Sequence, residues 1–393
     1  MTARRVYLDH NATTPLRPAA RAAMIAAMDL CGNASSIHAE GRAARALIEG
    51  AREAMARFVK TLPRRVIFTS GATEALNAIL TPRLERSNRP TAPFDVLLVN
   101  AGEHASVLFG HRFSADAVET IGMTPDGRLD LDALAKVLER YAGRRIMLAL
   151  QAANNETGVV QPVLQAEALL RAASSDTFFV CDAVQAAGKI ACDFDALPAD
   201  ALIFSAHKFG GPAGIGALCL REDVLLGEPL LRGGGQEFRQ RAGTQAVISI
   251  AGLAGALVDM RETFVQDSVR LAQLRDQLES FLRTLAPAAV LFGTEVERLP
   301  NTLCFAVPGM EAQVLLMFLD VEGVAVSSGA ACSSGKVKAS HVLEAMRVDP
   351  SLAGAAIRLS LGWTSHLEEC ALFMQAFEKA FRTIKARQVK SAA

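Results

Sequence analysis

Ala201-Leu202-Ile203-Phe204-Ser205-Ala206-His207-Lys208-Phe209-Gly210-Gly211-Pro212 is the stretch that decides how this chain folds. Ala201 to Phe204 form a short apolar run suited to a fully buried strand, and the Gly/Pro turn ends it soon after. Ser205, His207 and Lys208 sit between the two. A lysine entering such an apolar site is desolvated, which lowers its pKa and favours the neutral, nucleophilic amine. A lone lysine at a strand end is a solvated surface residue. The flanking Ser205 and His207, with Asp182 upstream, set Lys208 apart from that reading.

Working outward, similar apolar runs lie at Val66–Thr69, Asp95–Val99, Ile146–Leu150 and Thr177–Cys181. Ala-rich helical periodicity lies at Pro18–Leu30, Arg42–Val59 and Leu131–Tyr141. Strands alternating with helices predict an α/β fold built on a parallel sheet. The stretch 81–93, with prolines at 82, 90 and 93, reads as an irregular surface loop. A long helical region follows at Ala246–Leu285, with a break expected near Asp267, and carries the chain out of the first domain. The remainder reads as strand Thr302–Val307, helix Glu311–Glu322, strand Val324–Ser327, a Gly/Ser/Ala loop, helix Ser340–Met346, strand Ala355–Leu361 and helix Leu367–Lys385. That is a smaller α+β domain.

The 393 residues include 41 Lys plus Arg and 41 Asp plus Glu, so no net field draws the chain to nucleic acid or an anionic membrane. Apolar residues make up 51% and aromatics only 6%, which suits a large α/β enzyme with Ala-rich helices. The longest apolar stretch, Ala246–Val258, is too short to span a bilayer and reads as a buried helix. The N-terminus has no signal-peptide h-region, so a cytosolic protein with reduced thiols is expected. Seven scattered cysteines without a Cys-x-x-Cys pair suggest no metal site.

Two further stretches carry chemistry. In Arg65 to Asn77 a strand and a glycine turn precede a helix that opens with Ala72 and Thr73, where free N–H groups and the helix dipole make an anion cradle. An ordinary Ser/Thr cap would leave the same pattern. Neither a Walker A motif nor Gly-x-Gly-x-x-Gly after a first strand is present. In Phe178 to Gln185 an acid, Asp182, ends an apolar strand at the edge where open α/β sheets bind ligands. A helix-capping aspartate is the plainer alternative. Together, a phosphate cradle, an acid for a pyridinium nitrogen and a lysine for an aldehyde are the parts of a pyridoxal phosphate site.

With these residues the chain closely resembles the cysteine desulfurases of the NifS/IscS type, in the class V aminotransferase family of fold-type I pyridoxal phosphate enzymes. The resemblance runs nearly end to end, through Tyr7-Leu8-Asp9-His10-Asn11-Ala12-Thr13-Thr14-Pro15, Gly32 to His38, Asn154-Asn155-Glu156-Thr157-Gly158 and Arg358-Leu359-Ser360-Leu361-Gly362. It implies a large cofactor-binding domain over residues 16–258, with a large mainly parallel sheet. It also implies a small α+β domain, made of 1–15 plus 259–393, that carries a catalytic cysteine loop. By the same resemblance Lys208 would hold pyridoxal 5'-phosphate covalently, Asp182 would pair with its ring nitrogen, Gln185 would contact its phenolic oxygen and His104 would stack on its face. Ala72, Thr73, Ser205 and His207 match the phosphate site, and Thr244 matches a threonine supplied by the neighbouring subunit, which implies a homodimer.

Arg358 also follows from pattern, because in Ala356 to Leu361 apolar residues alternate with Ala, Arg and Ser, and an arginine fixed on a strand can grip a carboxylate bidentately. An arginine on an exposed strand face is the alternative. The resemblance assigns Arg358 to the substrate carboxylate, with Asn155 and Asn11. Cys332 lies among Gly, Ala and Ser, too small to bury it, with Lys336 and Lys338 near enough in sequence to favour a thiolate. The family's nucleophilic cysteine stands here, and the other six fit strands or helices.

The activity implied is L-cysteine to L-alanine, with sulfur passed as an enzyme persulfide to an iron–sulfur scaffold or thiolation protein. A selenocysteine lyase or other class V transaminase would need no loop thiol. A cofactor-bearing scaffold with little turnover would not need Lys208, Asp182 and Cys332 together. The chain departs from the family at Val337-Lys338-Ala339-Ser340-His341, where Leu-Glu-Pro-Ser-His is common, at Ala213 and Gln245, and through Thr81–Gly102.

Overall fold

A computed structural model of the protein describes residues 5–86, 92–328 and 340–392, with side chains as far as residue 387. The apolar runs pair into a seven-stranded sheet in the order Val66–Thr69, Gly216–Leu220, Ala201–Ser205, Thr177–Asp182, Ile146–Gln151, Val96–Asn100, Val118–Ile121. Gly216–Leu220 runs antiparallel to both neighbours, and the other adjacent strands are parallel. The fold is the α/β class expected.

Successive residues of these strands enter different cores. Phe178 and Val180 pack with Met147, Ala149 and Ile203 on one face, whereas Phe179 and Cys181 pack with Ile146, Leu148 and Leu202 on the other. A sheet buried on both faces needs apolar residues at consecutive positions, which is why its strands read as unbroken apolar runs. Helices Ala39–Val59 and Val247–Leu285 cover the second face through Ile48, Met55, Leu253 and Leu257. Helix Ala72–Ile79 lies on the first through Leu76 and Ile79.

Three expectations are corrected. Val247–Leu285 is one continuous 39-residue helix. Asp267 does not break it, because its carboxylate accepts from Thr263 Oγ at 2.7 Å and from Arg270 at 2.6 Å, one turn away on either side. The strand expected over Val324–Ser327 is two short pieces that serve different sheets. Within 81–93, Leu84–Arg86 is a strand paired antiparallel with Val224–Leu226, and the buried Leu84 side chain explains the pairing.

A second sheet has the order Val290–Leu291, Thr302–Ala306, Ala356–Ser360, Ser327–Ser328, all antiparallel. Leu303, Phe305, Ile357 and Leu359 pack against Leu278, Leu282, Phe373 and Phe377, while Cys304 and Ala356 belong to a separate cluster on the opposite face. The chain's first residues join the two sheets. Val6–Tyr7 pairs with Val324–Ala325, Asp9 bridges to Ser360, and then Thr14 and Arg17 donate their backbone N–H to His207 O and Gly210 O at 2.9 and 2.8 Å.

One corner of the large sheet is held by a buried ion pair. Glu237, Phe238 and Arg239 occupy left-handed backbone with φ of 46°, 55° and 67°, a conformation that costs energy in residues with a Cβ. Arg52 grips Glu237 through two bonds of 2.7 and 3.0 Å, and Glu237 also accepts the Phe68 N–H at 2.9 Å. Breaking such a pair leaves the buried Arg52 with only the half-exposed Glu49 carboxylate at 3.2 Å, and loss of a buried partner costs about 3–5 kcal/mol. Glu237→Ala should lower unfolding stability by that order in a urea titration. A loss below about 1 kcal/mol, the usual worth of a surface pair, would contradict this account.

Candidate active site

The parallel strands all end at one edge of the large sheet. Ala201–Ser205 runs into the turn Ala206–Lys208, Thr177–Asp182 ends on its acid, Val96–Asn100 leads to His104, and Val66–Thr69 leads to the helix that opens at Ala72. A cavity of about 1070 Å³ lies on this edge, with Arg358 of the small sheet and Asn11 of the N-terminal crossing in its wall. Of the site residues read from the sequence, Asn11, Ala72, Thr73, His104, Asn155, Asp182, Gln185, Ser205, His207, Lys208 and Arg358 all line it. Thr244 does not and is exposed. Cys332 lies outside the described residues, but those on either side of its segment, Ser327 and Ser328 before it and Ser340 and His341 after it, line the cavity too.

Lys208 Nζ donates to the main-chain carbonyls of Asn11 and Ala12 at 2.7 and 2.8 Å. Burial and the nearby Arg358 charge push its pKa down to about 8, against the opposing pull of Asp182 and Asp9. Asp182 Oδ1 accepts the Val184 N–H at 2.9 Å. Burial raises its carboxyl above the ordinary value, while that bond, His104 and Lys208 act against the rise. His104 caps its helix by accepting from Ser106 N at 3.1 Å, and burial lowers its pKa. Burial and the Lys208 charge push His207 down to about 4, so its ring is neutral at neutral pH.

Arg358 is buried on its strand, not exposed as the alternative reading had it. It donates to Asp9 Oδ1 at 2.7 Å and to Asn155 O at 3.0 Å, and its Nε has no partner among the described residues. Gly71 brings no side chain to cap the helix Ala72–Ile79, so the Ala72 and Thr73 N–H groups have no acceptor among the described residues. Uncapped amides beside Ser205 and the neutral His207 fit an anion such as a phosphate. An acid, a lysine with a lowered pKa and a histidine on the walls of one cavity fit a pyridine ring bearing an aldehyde. The residues present therefore suit pyridoxal phosphate.

Several groups at the site escaped the sequence reading. Asp9 stands inside a quoted motif, yet only the fold brings it to Arg358. Glu103 is fully buried, accepts the Gln151 N–H at 2.8 Å and leaves Oε2 without a partner among the described residues. Burial, with the Asp182 charge adding to it, raises its carboxyl well above the usual carboxylate range. Lys189 donates to Gln185 Oε1 at 2.6 Å, and its one signal in the sequence is that it follows Gln185 by four residues. Cys181, Cys192, Cys219, Cys304 and Cys370 are buried, with thiols pushed up by burial, and Cys31 is exposed.

The family model described as Aminotransferase class-V matches residues 6–373. The chain belongs to that family. It is similar to a cysteine desulfurase of Cereibacter sphaeroides, 40% identical over 93% of this chain and 92% of that protein. An IscS-like cysteine desulfurase of Mycobacterium tuberculosis is 38% identical over 91% of this chain and 92% of that one. Among solved structures, a NifS-like protein from Rickettsia africae superposes with a TM-score of 0.86 at 31% identity, covering 96% of this chain and all of that one. Class V enzymes are generally pyridoxal phosphate enzymes, in line with the fit of the cavity. No helix among the described residues is long and apolar enough to cross a membrane.

A lowered lysine pKa makes the amine neutral above it and charged below it. Acylation of Lys208 in cofactor-free protein should therefore reach half its limiting rate near pH 8, read by peptide mapping, whereas ordinary lysines reach it near 10.5. Titration of Lys208 alongside the surface lysines would contradict the desolvation argument.

Proposed function

We propose that this protein is a cysteine desulfurase that turns L-cysteine into L-alanine and passes the sulfur to Cys332 and then to an acceptor protein. The observation that carries the reading is the gathering of Lys208, Asp182 and Arg358 around one cavity, whose wall includes the residues that flank the Cys332 segment. The names of the similar proteins support it.

Pyridoxal phosphate, when bound, supplies an electron sink for charge developing at the substrate's Cα. Lys208 would hold it through Nζ, the Ala72 and Thr73 amides with Ser205 and His207 would bind its phosphate, and Asp182 would keep its ring nitrogen protonated. His104 would cover its face and Gln185 would donate to its phenolic oxygen. Arg358, beside Asn155 and Asn11, orients the substrate by its carboxylate, which takes the guanidinium from Asp9. Lys208 Nζ, its pKa lowered to about 8, moves the proton at Cα. The Cys332 thiolate attacks the substrate sulfur: the Cβ–S bond breaks, an S–S bond forms, and the carbon fragment takes up a proton to become alanine. Atoms balance as cysteine plus enzyme thiol giving alanine plus enzyme persulfide.

The same reading makes the enzyme a cytoplasmic homodimer in which the exposed Thr244 serves the neighbouring copy's phosphate site. The free thiols of the six described cysteines suit a reducing compartment. It also divides the chain into 16–258 and 1–15 plus 259–393, and the acceptor is an iron–sulfur scaffold or a thiolation protein.

Incubated with pyridoxal phosphate and L-cysteine, the protein should release alanine and gain sulfur that peptide mass spectrometry places on Cys332. Cys332→Ser should still bind cofactor and cysteine but transfer no sulfur to a protein acceptor; transfer at the wild-type rate would put the nucleophile elsewhere. Arg358→Ala loses a charge-assisted contact of roughly 1.5–3 kcal/mol, or about one to two orders of magnitude in kcat/KM for cysteine, with the cofactor's visible spectrum retained. An unchanged kcat/KM would remove Arg358 from substrate binding.

A further inference from the structure

Lys189 lies buried behind the cavity, four residues after Gln185. Its Nζ donates to Gln185 Oε1 at 2.6 Å and to Asn11 Oδ1 at 3.0 Å, two uncharged acceptors. The charged groups that face it, Lys208 and Arg358, add to burial in holding its pKa well below the lysine range. His10 also faces it, pushed down to about 3 by burial and by Lys189. Arg17 and Asp267, across a cavity of about 30 Å³ that Lys189 also lines, pair with each other at 3.5 Å. A neutral amine has two hydrogens, and two acceptors meet them.

The two acceptors do not depend on Lys189 equally. Asn11 Oδ1 also accepts from Asn301 Nδ2 at 3.0 Å, whereas Gln185 Oε1 has Lys189 as its donor among the described residues. A donor on that side fixes which end of the carboxamide is which. Oε1 turns to Lys189, and Nε2 turns to the Asn11 carbonyl at 3.0 Å, the same oxygen that holds Lys208 Nζ. An amide nitrogen carries two hydrogens, so one remains for an acceptor in the cavity that Gln185 lines.

We propose that Lys189 is a positioning residue that acts through Gln185, holding its carboxamide with Nε2 toward the cofactor's phenolic oxygen. The proposal rests on the reading that pyridoxal phosphate occupies the cavity. A phenolic oxygen that loses this donor holds more negative charge beside the nitrogen on Lys208, which then keeps its proton to higher pH.

The test is a pH titration of the visible band of the holoenzyme, with melting by circular dichroism as the check on folding. Lys189→Met keeps the chain length without the donors and should raise the midpoint by about half a pH unit or more. Lys189→Gln offers an uncharged donor and should stay near the wild-type midpoint. Gln185→Met should rise as Lys189→Met does, and the double variant no further. A wild-type midpoint in Lys189→Met, an equal rise in Lys189→Gln, or summed shifts in the double variant would each overturn the proposal. If Lys189→Met does not fold, a raised midpoint in Gln185→Met beside an unmoved one in Lys189→Gln supports it, and any other pairing sinks it. A wild-type protein that forms no visible band on Lys208 would defeat the cofactor reading instead.

Discussion

The carbonyl and side chain of Asn11 are where the two halves of this protein are tied together. Its backbone N–H is held by Ser360 and its side-chain amide by Thr302 and Asn155, while its main-chain oxygen takes both Gln185 and Lys208. A half-buried amine needs acceptors, and the strand that delivers Lys208 supplies none to its tip. The N-terminal crossing supplies them. The position of the reactive nitrogen therefore depends on a segment that belongs to the other sheet. Nδ2 and Oδ1 of Asn11 each have two partners, so its amide group serves to hold its neighbours in place.

Around that tie, burial moves several ionisable groups toward their neutral forms. It lowers Lys208, Lys189 and His207 and raises Asp182 and Glu103, so acids and bases approach one another in pKa. Such convergence is how one cavity moves protons near neutral pH. Arg358 is paired with Asp9, and that pair adds opposing influences on Lys208: the guanidinium lowers it and the carboxylate raises it. A ligand carboxylate that drew Arg358 away would thus change the basicity of the lysine as well as its own position.

The large sheet and its edge were legible because parallel strands buried on both faces leave unbroken apolar runs, and the chemistry sits where those runs stop. The strand Val118–Ile121 was missed because its Glu119 and Thr120 break the apolar run, and Gly216–Leu220 because it follows a Gly/Pro turn that reads as loop. Asp267 looked like a helix breaker because its partners on the same helix and Arg17 from elsewhere appear only in three dimensions. The same holds at the site. Lys208, Asp182 and Arg358 each end or interrupt an apolar pattern and so stand out, whereas Lys189 and Asp9 acquire meaning only from the partners that the crossing brings to them.

Asp9 and Arg358 touch although 349 residues separate them in sequence. Residues 6–9 are made long before Val324 and Ser360 and cannot pair with them until those positions have left the ribosome. The large sheet, whose strands lie between 66 and 220, can assemble earlier from nearer contacts. Closing so long a loop is slow relative to local pairing, though each doubling of length adds only about 0.6 kcal/mol. The Asn11 and Ala12 carbonyls that hold Lys208 lie on that same crossing, so the lysine's surroundings are complete only once positions 324 to 360 are present to receive it.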